Sequence, residues 1–154
     1  MAGRRRAPEP RPLWTCPRCG HRFITAHMWH SCARYRLARH FTGKPPVIRR
    51  MFQRVRGLLR RCGPVTVYAQ KTRIVFQVRV RFGGVQARNR WLDVGLWLER
   101  QAEHPRLVRV EPFAAYDSHG YGHWFRFTAP EQIDRAFARL AREAYATGCQ
   151  AGQR

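Results

Sequence analysis

The sequence predicts an α+β fold: a small zinc module, two helices, a mainly antiparallel sheet of about five strands and a C-terminal helix. Three observations carry this. A Cys/His cluster fills residues 14–33. Apolar residues recur at three- and four-residue spacing over 46–61 and again over 130–147, which is the period of an amphipathic helix. Between these helices, residues 65–127 alternate apolar and polar in short runs. Strands grouped together, rather than interleaved with helices, argue for antiparallel pairing in an α+β domain.

Taken in chain order, residues 1–13 are rich in Arg and Pro with no apolar period, and are expected to form a disordered basic tail. Residues 14–33 are the zinc module. Residues 34–42, with Tyr35, Leu37 and Ala38 before Phe41, read as a short helix, ended by Thr42-Gly43-Lys44-Pro45-Pro46. The helix over 46–61 buries Val47, Ile48, Met51, Phe52, Val55, Leu58 and Leu59, and Gly63-Pro64 stops it. Residues 65–68 form a strand. Residues 72–82 alternate Ile74, Phe76, Val78, Val80 and Phe82 against Arg73, Val75, Gln77, Arg79 and Arg81. Gly83-Gly84 reads as the hairpin turn after them. Residues 91–99 set Leu92, Val94, Leu96 and Leu98 opposite Trp91, Asp93, Gly95 and Trp97. Strands over 106–111 and 121–127 complete the sheet. The last helix opens on the capping box Thr128-Ala-Pro-Glu131. Residues 34–148 thus make one α+β domain, and 149–154 are expected to be a second disordered tail.

Charge narrows the partner. The 154 residues hold 30 Lys+Arg against 9 Asp+Glu, a formal net charge of +21. All but Lys44 and Lys71 of the basic residues are arginine. Residues 1–60 carry fifteen of the basic residues against the single acid Glu9, and residues 61–154 carry fifteen against eight acids. So strong an imbalance points to a polyanion such as nucleic acid. An acidic protein is the alternative partner. No run of 18 apolar residues is present to cross a membrane, and no apolar stretch follows the basic N-terminus as in a secretory signal.

Five cysteines, three within 17 residues, argue for metal ligation in a reducing cytoplasm rather than for disulfides. Cys16-Pro-Arg-Cys19-Gly20 is a knuckle, and His30-Ser-Cys32 follows. Zinc takes four thiolate or imidazole ligands in a tetrahedron. Cys16, Cys19 and Cys32 supply three, and the fourth is His30 or His40. His30 is favoured, because an extended His-Ser-Cys segment can point both side chains inward. Four protein ligands describe a closed, structural Zn2+ site. Cys62 and Cys149 are expected to be unligated thiols.

The set Trp-x-Cys-Pro-x-Cys-Gly-x-x-Phe…His-Ser-Cys, His40-Phe41-x-Gly-Lys-Pro-Pro, Cys62-Gly-Pro-Val-Thr, Lys71-Thr-Arg-Ile-Val-Phe and a final helix ending Ala-Tyr resembles bacterial proteins carrying the domain of unknown function numbered 5655. The resemblance takes in about residues 14–147. It implies an α+β domain behind a zinc-binding N-terminus and brings no activity, substrate or catalytic residue.

Catalysis is not expected. Lys71, Asp93, Glu99, Tyr116, Asp117, His119 and His123 are the candidate groups, but no phosphate-binding glycine motif or paired carboxylates accompany them. Residues 116–123 read as a strand-connecting loop, and a small-molecule or enzymatic site there is the remaining alternative. A binding surface is better supported. If the face of Arg73, Gln77, Arg79 and Arg81 coincides with that of Trp91 and Trp97, arginines can hold phosphates while indoles stack bases. The expectation is a cytoplasmic, zinc-containing protein that contacts nucleic acid through backbone charge.

Overall fold

The computed structural model describes residues 11–115 and 118–150. The segment of the Cys/His cluster holds two short strands, β1 (Trp14–Thr15) and β2 (Arg22–Phe23), paired antiparallel. A 3-10 turn, Leu37–Phe41, leads to helix α1, Pro46–Cys62. Six strands follow: β3 (Thr66–Ala69), β4 (Ile74–Gln77), β5 (Arg81–Ala87), β6 (Leu92–Leu98), β7 (Leu107–Ala115) and β8 (Ser118–Phe127). A second 3-10 turn, Pro130–Gln132, precedes helix α2, Arg135–Gly148. The sheet order is β3-β4-β5-β6-β8-β7, with every neighbouring pair antiparallel.

Both helices pack on one face of this sheet. Helix α1 begins at Pro46, whose fixed φ suits a first turn, and buries Ile48, Met51, Phe52, Val55 and Leu59. Helix α2 starts where the Asp134 carboxylate accepts the Phe137 N–H at 2.8 Å, and buries Phe137, Leu140, Ala141 and Ala144. These side chains meet Leu92, Val94, Leu96, Leu98, Phe125 and Phe127 in one core. The Phe137 ring stands edge-on to Phe125 and Phe127, with centroids 5.2 and 4.9 Å away, a favoured aromatic geometry.

The structure departs from the sequence expectations in several places. Residues 34–42 make only the 3-10 turn, because Tyr35 is drawn into a bridge with Ala69 and the Arg36 backbone is extended. The strand expected over 72–82 is two strands. The chain reverses at Val78-Arg79-Val80, where the Gly148 carbonyl at the end of α2 accepts from the N–H groups of Arg79 and Val80, at 2.9 and 3.1 Å. Gly83 and Gly84 are therefore not a turn. They lie inside β5, where a Cβ would sit 2.5 Å from the Gly95 and Ile74 carbonyl oxygens respectively. The sheet consequently has six strands, not about five.

The register also slips between Phe76 and Gln77, which pair with Gly83 and Arg81 and leave Phe82 over in β5. This extra residue, a β-bulge, turns the Phe82 ring fully into the core beside Phe76. Residues 118–120, expected in the loop, belong to β8, which begins three residues before the strand expected over 121–127 and whose pairing with β7 continues to Ala115↔Ser118. Tyr116 and Asp117 lie outside the described residues. At the C-terminal end, the capping box expected at Glu131 is made by Gln132, whose Oε1 accepts from the N–H groups of Thr128 and Ala129. The helix proper waits for the Asp134 cap. The expected tails fall mostly on residues 1–10 and 151–154, also outside the described residues.

Candidate metal centre and the arginine–tryptophan sheet face

The knuckle is shaped by its backbone. Cys16 N–H donates to the His21 carbonyl and Gly20 N–H to the Cys16 carbonyl, both at 2.8 Å. Gly20 supplies the left-handed turn, with φ of +75°. The ligand atoms of Cys16, Cys19, His30 and Cys32 all lie within 4.8 Å of one another. A tetrahedral zinc with bonds of about 2.3 Å to sulfur and about 2.0 Å to nitrogen needs S···S near ~3.8 Å and S···N near ~3.5 Å. Cys16 Sγ and Cys32 Sγ are 3.8 Å apart, and His30 Nε2 is 3.2 Å from Cys19 Sγ and 3.5 Å from Cys32 Sγ. His30 Nδ1 lies 2.6 Å from the Met28 carbonyl, so that nitrogen donates and Nε2 is left with its lone pair toward the sulfurs. These residues fit a metal ion.

His40 does not join them. It is buried in the 3-10 turn with Nε2 2.9 Å from the Gln70 carbonyl, and burial lowers its pKa. His21 packs on Tyr68, with ring centroids 4.2 Å apart. Without a cation the thiols hold protons unequally. Burial pushes Cys16 up, but N–H donors from Cys19 and Arg18 outweigh it and bring the thiol to about 6. Burial and the neighbouring cysteines push Cys32 up to about 11. An incoming ion must therefore displace protons. Cys62 and Cys149 are free thiols outside this group.

The metal module docks on the sheet face opposite the helices. The buried Gln77 side chain donates to the Arg22 carbonyl at 2.6 Å. The Arg81 guanidinium lies over the rings of Phe23 and Tyr68, at 5.4 and 5.8 Å. This part of the face, where Gln77 and Arg81 were expected to belong to a binding surface, is covered by the module. Arg79 is in the turn, where it donates to the Arg11 carbonyl and to Gln150 Oε1.

Beyond the module the outer face carries arginine and tryptophan together. Cross-strand pairing sets Asp93 beside Arg126, Gly95 beside Trp124, and Trp97 beside Gly122. Arg73, Arg81, Trp97 and Trp124 line one shallow cleft, open to solvent, over Gly84 and Gly95. Trp91 lies at the far end of the face. Its Nε1 donates to Asp93 at 3.1 Å, and Arg126 stacks on its ring at 4.3 Å while donating to the same carboxylate at 2.9 Å. Arg109 stacks on Trp124 at 5.2 Å and pairs with Glu111. Arg73, Arg81 and Trp97 thus share the cleft, whereas Arg79 does not reach it and Trp91 is engaged elsewhere.

Trp124, Arg109 and Arg126 were not among the expected binding residues. The alternation of Trp124 and Arg126 against the buried Phe125 and Phe127 in β8 is the signal that carries two of them. Of the groups weighed for catalysis, His123 is fully buried and structural. Its Nε2 accepts from Ala102 N–H and its Nδ1 donates to the Tyr121 carbonyl, both at 3.0 Å.

Fold and site together define an α+β domain with two helices on one sheet face and a Cys3His group poised for a metal ion beside the other. The chain belongs to the family of the domain of unknown function DUF5655, whose family model matches residues 37–148. The match begins after the metal module, which the resemblance in the sequence had included. No curated protein and no solved structure matches the chain. Among the described residues no helix is long and apolar enough to cross a membrane.

Proposed function

We propose that this is a zinc-containing protein that binds nucleic acid, mainly through the charge of the phosphate backbone, and that its Zn2+ is structural. The observation that carries the reading is the outer sheet face, where Arg73 and Arg81 share a solvent-open cleft with tryptophans in a chain of net charge +21. Arginine offers a planar fork of donors for phosphate, and indoles offer stacking surface. The donor set supports zinc: three thiolates and an imidazole at tetrahedral spacing suit a closed site with no open position for substrate. Reduced cysteines in such a site agree with a cytoplasmic setting.

Duplex binding measured against salt tests the reading. With roughly four to six phosphates engaged, log K should fall against log salt with a slope of about −4 to −5. Deleting residues 1–13 removes Arg4, Arg5, Arg6 and Arg11 together with Glu9, and the slope should shrink. An affinity indifferent to salt, or none at low salt, refutes the reading. Binding that an acidic protein competes away but heparin does not would favour the acidic-partner alternative.

A further inference from the structure

Resting on that reading, we propose that the cleft over Gly84 and Gly95 seats one unpaired nucleobase, so that the protein prefers single-stranded nucleic acid to duplex. Val75, Gly84, Gly95 and Trp124 are successive cross-strand partners on β4, β5, β6 and β8. At about 4.8 Å per strand, Val75 and Trp124 stand roughly 14 Å apart; between them neither Gly84 nor Gly95 carries a side chain, and the Trp124 indole lies against Gly95. That bareness is built in. A Cβ at Gly84 would lie 2.5 Å from the Ile74 carbonyl oxygen, and one at Gly95 would lie 2.6 Å from Cζ3 of Trp124. The result is an apolar floor made of the Gly84 backbone and the Trp124 indole laid against Gly95, with Trp97 in the same lining.

Both indoles are braced by neighbours. Trp97 packs on Phe113 with centroids 5.3 Å apart, and Trp124 carries the Arg109 guanidinium. The cleft's charge is of one sign, since Arg73 and Arg81 line it and no carboxylate does. The acids of the neighbouring face, Asp93 and Glu111, are paired with Arg126 and Arg109. The Arg81 guanidinium lies over Phe23 and Tyr68 with its Nε buried, so that nitrogen adds charge to the cleft and not an accessible donor. Gln86 adds the one neutral amide to the lining; its Oε1 accepts from Arg88 at 2.9 Å, which leaves its NH2 to donate at a base edge.

A flat π surface beside cations, with an amide within the same cleft, matches the chemistry of a nucleotide: a stacking base, a hydrogen-bonding edge and a phosphate. A base within a duplex is already stacked on both faces and cannot lay a face on this floor, whereas an unstacked base can.

The test uses the full-length, zinc-loaded chain and fluorescence anisotropy with a labelled 12-nucleotide single strand and the corresponding duplex. The single strand should bind at least tenfold more tightly at equal salt. Trp97→Leu and Arg73→Ala should each weaken single-strand binding about tenfold. Equal affinity for the two forms, or variants that keep full single-strand affinity, overturns the inference and leaves the broader nucleic-acid reading standing. Binding of neither form at low salt overturns both. Because a sheet variant can fail to fold, the unaltered chain gives a second readout. A strand bearing 4-thiouridine, photocrosslinked and mapped by mass spectrometry, should mark peptides holding Trp97 or Trp124. Crosslinks confined to the N-terminal tail or the metal module overturn the inference.

Discussion

Removing the metal should melt the N-terminal module and leave the α+β domain folded. Over residues 14–33 only Cys16, Cys19 and Phe23 are buried, and the two strands there are two residues long. The main core contains no residue of this segment. A structural zinc contributes about 10–16 kcal/mol of apparent binding energy, which no other interaction in the module approaches. The domain, in contrast, loses only part of its stability. It gives up the hydrogen bond from Gln77 to the Arg22 carbonyl, about 1 kcal/mol. It also loses cover by Phe23, whose burial is worth about 1.5–3 kcal/mol. For a domain of this size such a loss lowers the melting temperature by roughly 10–20 °C.

The assay pairs metal release, read with a colorimetric chelator, with thermal circular dichroism of the same sample. One equivalent of zinc should leave per chain, and helix and sheet signals should persist with the lowered transition. Cys19→Ser should reproduce the stripped state. His30→Ala should lose metal affinity, while His40→Ala should keep it and lose stability, because His40 is buried against the Gln70 carbonyl. Well under half an equivalent of zinc under reducing conditions would refute the site. Collapse of the whole fold on chelation would refute the independence of the two parts.

Stability should also fall in mild acid. His123 is fully buried, and burial pulls its pKa below the usual 6.5, so the unfolded chain takes up the proton first. Its contribution is complete above about pH 6.5 and is lost as pH falls from there through the folded value. The urea midpoint should therefore drop between pH 7.5 and 5.5, and by less in His123→Gln; an undiminished drop in the variant would contradict this assignment. Gly148→Ala should cost about 1–3 kcal/mol by overpacking, because the new Cβ would fall 2.3 Å from Cδ1 of Phe82. A variant with an unchanged urea midpoint would show that the end of α2 is not tightly packed there.

What could be read from sequence followed from how local its cause is. Helix α1 was legible because its five buried side chains repeat within one 17-residue segment. The Cys16, Cys19, His30 and Cys32 group was legible because Cys16-x-x-Cys19 and His30-x-Cys32 are short fixed spacings that already favoured His30 over His40, whereas the Met28 carbonyl that orients the His30 ring was not. The turn at 78–80 was not legible, since the carbonyl that holds it belongs to Gly148, at the other end of the domain. Gly83-Gly84 was misread for the same reason. A glycine pair is good turn chemistry in isolation, and only the approach of Gly95 and Ile74 from two neighbouring strands makes it strand interior. That misreading hid the cleft as well. With Gly84 in a turn, the run of Val75, Gly84, Gly95 and Trp124 across four strands does not exist, and arginines and tryptophans from separate strands have no common floor. Moving the turn five residues earlier changes the face from two unrelated alternations into one surface, because cross-strand register decides which side chains are neighbours.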